Sequence, residues 1–205
     1  MTWLLTLWLL IGASRATPVA AGDVGQAEHI RLSEDIEQLA NRQLWPGVEK
    51  KYAELEKLGV DLTYKDLMHG AYSARAMGNA ASAYDRLKLA AKVDGTKEVV
   101  DWLFTIDANY GQVELLATPP RGVALLLVEM PFDPDQRRSV EAAMEIVKRD
   151  GGFRGLLPRG TYTYAGQQFT VQPGISVRIE VSPRLKKTTG EVVNVSTMPT
   201  EAATP

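Results

Sequence analysis

His29 and His69 are the only imidazoles in 205 residues, and there is no cysteine. Without cysteine the chain has no thiolate nucleophile, disulfide, zinc–thiolate site or iron–sulfur cluster. His69 has Lys65 and Ser73 at the helical spacing of four, so a metal would find no second ligand there. Both histidines are expected on the surface or hydrogen-bonded in the core. Asp133-Pro134-Asp135 brings two carboxylates onto one loop. As calcium ligands they would need several more oxygens at EF-hand spacing, which the sequence lacks. The pattern reads instead as a turn shaped by Pro134, with Asp135 capping a helix that opens at Gln136. Gly151-Gly152-Phe153-Arg154-Gly155 lacks the lysine and hydroxyl of a phosphate loop. It is expected to stop a helix and lead into a strand. No catalytic residue, metal ligand or cofactor-binding residue is assigned, and a non-enzymatic protein without cofactor is expected.

The elements that would position any site follow from composition and periodicity. Formal charge is −2 and 45% of residues are apolar, which excludes the strongly basic footprint of a nucleic-acid binder. Residues 22–109 carry −4 (11 basic, 15 acidic) and residues 110–205 carry +1 (11 basic, 10 acidic). Trp3–Ile11 is an uncharged apolar run. Its nine residues span roughly 14 Å as a helix, about half a bilayer core, so no stable transmembrane span is expected. Small residues and a proline follow, as in a secretory signal cleaved after Ala16 or Ala21. Residues 1–21 are therefore expected to be a signal peptide, and the mature chain periplasmic or secreted.

Residues 22–110 have helical periodicity throughout. Leu32, Ile36 and Leu39 form one stripe, and Val48, Tyr52 and Leu55 form the next. Leu67, Ala71 and Ala74, then Ala83, Leu87 and Ala90, repeat both stripes 35 positions later. A further 35 positions lead from Leu67 and Ala71 to Trp102 and Ile106. A helical-hairpin repeat follows.

With those slots, and with Gly78 between its helices, Tyr64–Lys97 resembles a tetratricopeptide repeat. The earlier hairpin departs at Ile36, a slot usually small, and at Gln43, which stands where the turn glycine would be. The resemblance implies two hairpins plus a capping helix, with first helices lining a concave groove. Facing it would be Ser33, Glu37 and Asn41, then Lys65, Met68, Tyr72 and Arg75, then Leu103 and Asp107. Of these, Glu37, Asn41, Lys65, Met68, Tyr72 and Arg75 are the candidate partner-binding residues.

After Gly111 the pattern becomes that of strands. Strands are expected at Gln112–Ala117, Val123–Val128, Thr161–Ala165, Gln168–Gln172 and Ile175–Val181, with Pro173-Gly174 as a hairpin turn. Val123–Val128 contains no polar residue and is expected to be a central strand buried on both faces. Val140, Ala143, Met144 and Val147 mark an inserted helix at about 135–149. Pro120-Arg121-Gly122-Val123 and Leu157-Pro158-Arg159-Gly160-Thr161-Tyr162 resemble PEGA-type domains, small β-sandwiches of bacterial envelope proteins. The inserted helix departs from that family.

The expected fold class is α+β: an N-terminal helical repeat at 22–110, then a small β-sandwich with an inserted helix at 111–183. Residues 184–205 are polar and threonine-rich, and are expected to form a disordered tail. The resemblances imply a protein or peptide partner in the envelope, with no nucleic acid. Glycan or cell-wall polymer binding by the β domain is the alternative, favoured if Tyr162 and Tyr164 lie exposed on the sheet.

Overall fold

A computed structural model describes residues 21–120 and 122–182. Residues 1–20 of the expected signal segment, and the expected tail, lie outside them. The described residues form a mixed α+β structure of six helices and two three-stranded sheets. None of these helices is long and apolar enough to cross a membrane.

The first five helices are α1 (Ala21–Asn41), α2 (Trp45–Glu56), α3 (Tyr64–Ala76), α4 (Ala80–Val93) and α5 (Lys97–Asn109). Local chemistry sets their ends. Thr63 and Asp66 form a reciprocal capping box at α3, Asn79 caps α4 through Ser82 N–H, and Thr96 caps α5. Pro46 sits in the first turn of α2, where its missing N–H costs nothing. Gln43 and Gly78 both turn the chain with positive φ, at 56° and 74°. Gly78 is needed for a second reason: a Cβ there would collide with the carbonyl of Arg138.

Five of the spaced pairs, Leu32/Leu67, Ile36/Ala71, Val48/Ala83, Tyr52/Leu87 and Leu55/Ala90, are buried at both members. Apart from Ala83, they divide between two clusters, one in α1–α2 and one in α3–α5. Each fully buried Leu or Val there contributes about 1.5–3 kcal/mol of apolar transfer. An ion pair links the hairpins: Arg86 of α4, 7% exposed, donates to both carboxylate oxygens of Glu49 on α2, each at 2.7 Å.

The second half holds β1 (Tyr110–Ala117), β2 (Leu125–Leu127), α6 (Pro134–Asp150), β3 (Phe153–Pro158), β4 (Gly160–Tyr164), β5 (Gln167–Val171) and β6 (Ser176–Val181). One sheet runs β3-β1-β6, with β1 antiparallel to β3 and parallel to β6. The other runs β2-β4-β5, all antiparallel. Val113 and Leu115, Leu157, Ile179, Tyr162, Tyr164 and Val171 from the two sheets meet Val140, Ala143 and Val147 of α6 in one core. Tyr110 and Leu156 belong to the α3–α5 cluster, so the β half is seated on the helices.

Three expectations are corrected here, and the condition set on Tyr162 and Tyr164 is not met. Val123–Val128 is not a central strand: only Leu125–Leu127 is extended, at a sheet edge, with Leu126 59% and Val128 65% exposed. Its unbroken apolar run looks like a doubly buried strand, yet only alternate residues, Val123, Leu125 and Leu127, pack on the core, while Ala124, Leu126 and Val128 are exposed. Pro173-Gly174 joins β5 to β6 across the two sheets, so it makes no hairpin. Ala165 and Gly166, both at positive φ, turn the β4–β5 hairpin instead. Tyr162 and Tyr164 are fully buried, donating to the carbonyls of Pro158 (2.8 Å) and Gly151 (2.6 Å). Finally, Asp133 rather than Asp135 caps α6, accepting from the N–H groups of Asp135 and Gln136 at 2.9 Å. The expected alternation holds over Val177–Val181, with Ile179 buried between exposed Arg178 and Glu180, while Ile175 precedes β6 and is exposed.

Candidate functional site

Three helix faces converge at the junction of the two halves. The capping box fixes the start of α3 and thereby the heights of Tyr72 and Arg75, two and three turns along. Thr96 sets the start of α5, which presents Glu98, Asp101, Trp102 and Thr105. Asp133 starts α6, which contributes Asp135, Gln136 and Ser139. Between them lies a groove of about 610 Å³, floored by Ala80, Ala83, Ile106 and Tyr110.

Its wall is an interlocked set of aromatic and charged side chains. The Tyr72 and Trp102 rings lie 5.1 Å apart at 34°. The Arg75 guanidinium sits 5.0 Å from the Trp102 ring centroid and pairs with Asp135, which Arg138 also engages. Such a cation over an indole face is held by the ring quadrupole. The Tyr72 hydroxyl donates to Glu98. Burial, reinforced by that carboxylate, pushes the Tyr72 phenol up to about 12, so it stays a neutral donor. Tyr110 at the floor is likewise raised, mainly by burial. Glu98, Asp101, Asp133 and Asp135 outnumber Arg75 and Lys97, so the groove is acidic on balance. What these groups offer is amphipathic contact: two aromatic rings and a guanidinium, residue types enriched at recognition surfaces, beside a carboxylate rim.

The sequence-derived candidates separate. Tyr72 and Arg75 line this groove. Met68 does not: it is 7% exposed and packs within the α3–α5 cluster, one turn too far toward the core. Glu37 and Lys65 form an exposed ion pair at 2.6 Å on the α1–α3 surface, and Asn41 is exposed at the end of α1. None of these three borders the groove. Ser33 is half-buried, Leu103 packs on the α3–α5 cluster, and Asp107 is exposed beside Tyr84.

Trp102 and Asp135 are the groove residues that sequence reasoning passed over. The 35-residue spacing places Trp102 in a packing slot, and it is half-buried because its ring faces Tyr72 and Arg75. Asp135 was assigned to capping. Its pairing with Arg75 bridges 60 positions of sequence, and no local spacing encodes that. The histidines also have defined places. His29 Nε2 lies 3.1 Å from Asp66 Oδ2, and His69 Nε2 is buried without a partner among the described residues. Among those residues no group of three or more His, Asp or Glu side chains is arranged to hold a metal ion.

No protein-family model matches the chain, no curated protein matches it, and no solved structure matches it.

Proposed function

We propose that this chain is an exported, non-enzymatic recognition protein of the bacterial cell envelope. In this reading α1–α5 are two tetratricopeptide-like hairpins with a capping helix, and residues 111–183 are a PEGA-like β-sandwich carrying an inserted helix. A protein or peptide partner is taken in the groove between α3, α5 and α6. The observation that carries the reading is the Tyr72–Trp102–Arg75–Asp135 wall, a side-chain assembly that uses both halves of the molecule. The repeat part draws support from the paired burial 35 positions apart and from left-handed turns at Gln43 and Gly78. The polymer-binding alternative would be favoured by exposed Tyr162 and Tyr164, and both rings are buried.

The test is capture from envelope extract with the wild type and with Tyr72→Ala/Arg75→Ala. Loss of an aromatic and a guanidinium at a recognition site weakens capture by roughly tenfold or more. Stability falls by no more than about 1–2 kcal/mol, because Arg75 is 44% exposed at its side chain and its ion pair is worth little. An unfolded double variant makes this face part of the core. A folded one that captures as before moves recognition elsewhere on the molecule.

A further inference from the structure

The charges around the groove between α3, α5 and α6 narrow the chemistry of its occupant, a step that rests on the recognition reading above. The groove is lined by Glu98, Asp101, Asp133 and Asp135 against Arg75 and Lys97. Its carboxylates form two groups, one on α5 and one at the start of α6. Lys97 pairs with Asp101, while Arg75 and Arg138 both pair with Asp135. Glu98 and Asp133 have no cationic partner among the described residues. Glu98 accepts the Tyr72 hydroxyl at Oε1, and Asp133 accepts two backbone N–H groups at Oδ1. A carboxylate has room for about four hydrogen bonds, so the second oxygen of each is open to a ligand.

Two observations match this groove to a cation on an apolar stem. First, it already holds one: the Arg75 guanidinium lies 5.0 Å from the Trp102 ring centroid and pairs with Asp135. Second, Ala80, Ala83 and Ile106 make the floor apolar while the carboxylates stand at the walls. Lysine and arginine lay their methylene stems on apolar surface and keep the charged head among polar groups. The phenols register the same field. Beyond the effect of burial, Glu98 raises Tyr72, and Asp133 and Asp135 raise Tyr110.

We propose that the partner segment taken in this groove is basic. It presents lysine or arginine side chains whose stems lie on the Ala80–Ala83–Ile106 floor and whose heads meet Glu98 on one wall and Asp133 on the other. Open acceptors on two helices suit a segment with two cations better than a single free ion. Because Glu98 and Asp133 are exposed, their attraction is screened by salt and acts largely on the rate of encounter. The chain has a basic run of its own, Arg184-Leu185-Lys186-Lys187, outside the described residues. β6 ends beside Ala117, at the far end of β1 from Tyr110, which sets the start of that run away from the groove.

The experiment uses the full chain and three fluorescein-labelled pools of short peptides, randomised except at two fixed positions. Those positions are lysine and arginine in one pool, glutamine in the second and glutamate in the third. Fluorescence anisotropy is expected to show preferred binding of the basic pool, weakening as sodium chloride is raised. Glu98→Gln/Asp133→Asn is expected to weaken it about fivefold. Glutamine still accepts from Tyr72 and asparagine still caps α6, and thermal melting checks that the fold is kept. Glu34→Gln/Asp61→Asn makes the same change in net charge away from the groove and is expected to leave binding unchanged.

Binding of the glutamate or glutamine pool as tight as that of the basic pool overturns the proposal, as does an equal loss in both double variants. Spermidine that displaces the basic pool as well as unlabelled basic peptide does assigns the groove to free cations and overturns a basic segment. Tighter peptide binding by Arg184→Ala/Lys186→Ala/Lys187→Ala makes the chain's own basic run the occupant and overturns an external one. Capture from envelope extract separates this proposal from the reading beneath it. A partner lost with Tyr72→Ala/Arg75→Ala but kept with Glu98→Gln/Asp133→Asn leaves the groove in use and refutes its preference for a basic segment.

Discussion

Arg86→Ala removes the cation around which α2, α3 and α4 are assembled. Besides its paired bonds to Glu49, the guanidinium donates to the carbonyl of Gly70 at 2.7 Å and lies 4.0 Å from the Tyr52 ring centroid. Burial by itself would raise the Glu49 carboxyl. The hydrogen bonds from Arg86 and Ser73 outweigh it and hold the group below the usual carboxylate range. After truncation Glu49 keeps only the Ser73 hydroxyl, the Gly70 carbonyl loses one of its donors, and the Tyr52 ring borders a void. Leaving one partner of a buried pair uncompensated costs about 3–5 kcal/mol. The Glu49 side chain is 33% exposed, so water relieves part of that, and the lower end, about 3 kcal/mol, is expected. That is a large share of the ~5–15 kcal/mol a domain possesses.

Urea unfolding followed by far-ultraviolet circular dichroism measures the loss. Two internal controls follow from the mechanism. Arg86→Met/Glu49→Leu removes both charges and recovers more than half of the deficit, because the unpaired carboxylate is its main source. The deficit of Arg86→Ala also shrinks as pH falls. The wild type's gain from the depressed Glu49 is present above the unfolded carboxylate range, about pH 4.3, and is lost as pH drops through the folded value. A deficit under about 1 kcal/mol that is the same at pH 7 and pH 4 would refute the assignment of Arg86 as the tie between hairpins.

Two further perturbations probe the frame around the groove. Burial, with Lys65 adding repulsion, holds the His69 imidazole below its ordinary value. The unfolded chain therefore binds more protons just below pH 6.5, and stability declines as pH falls through that window. His69→Gln is expected to flatten the difference between urea midpoints at pH 7.5 and 5.5, and an unchanged slope would assign it to other groups. Gly78→Ala meets both a positive φ and the Arg138 carbonyl, whereas Gly174→Ala, also at positive φ, opens onto free space. A melting-temperature loss at Gly78 no greater than that at Gly174 would show that α6 is not seated on this turn.

Where a residue's role is set by its near neighbours in sequence, the chain could be read directly. The helix stripes, the inserted helix and the alternation within β6 depend on 3.6- and 2-residue periods, and the fold has them. Periodicity failed where burial depends on what lies across the chain. Met68 and Tyr72 are four residues apart and share a helical face, yet α5 leaves Tyr72 at the groove while Met68 is enclosed. Val123–Val128 has the composition of a central strand. Its position at an edge follows from β4 and β5 being hairpin partners, which leaves β2 a single neighbour. The groove was the least legible feature for the same reason. Trp102 and Asp135 had adequate local explanations as a packing slot and a helix cap, and these absorbed the residues before their pairing with Arg75 could be seen. A cap and a slot are what one helix needs of its own residues. A site at the junction of two halves needs the same side chains for contacts 27 and 60 positions away, between Arg75 and Trp102 and between Arg75 and Asp135. Such double use leaves no mark in spacing, and so the groove belongs to the docking of the halves rather than to either alone.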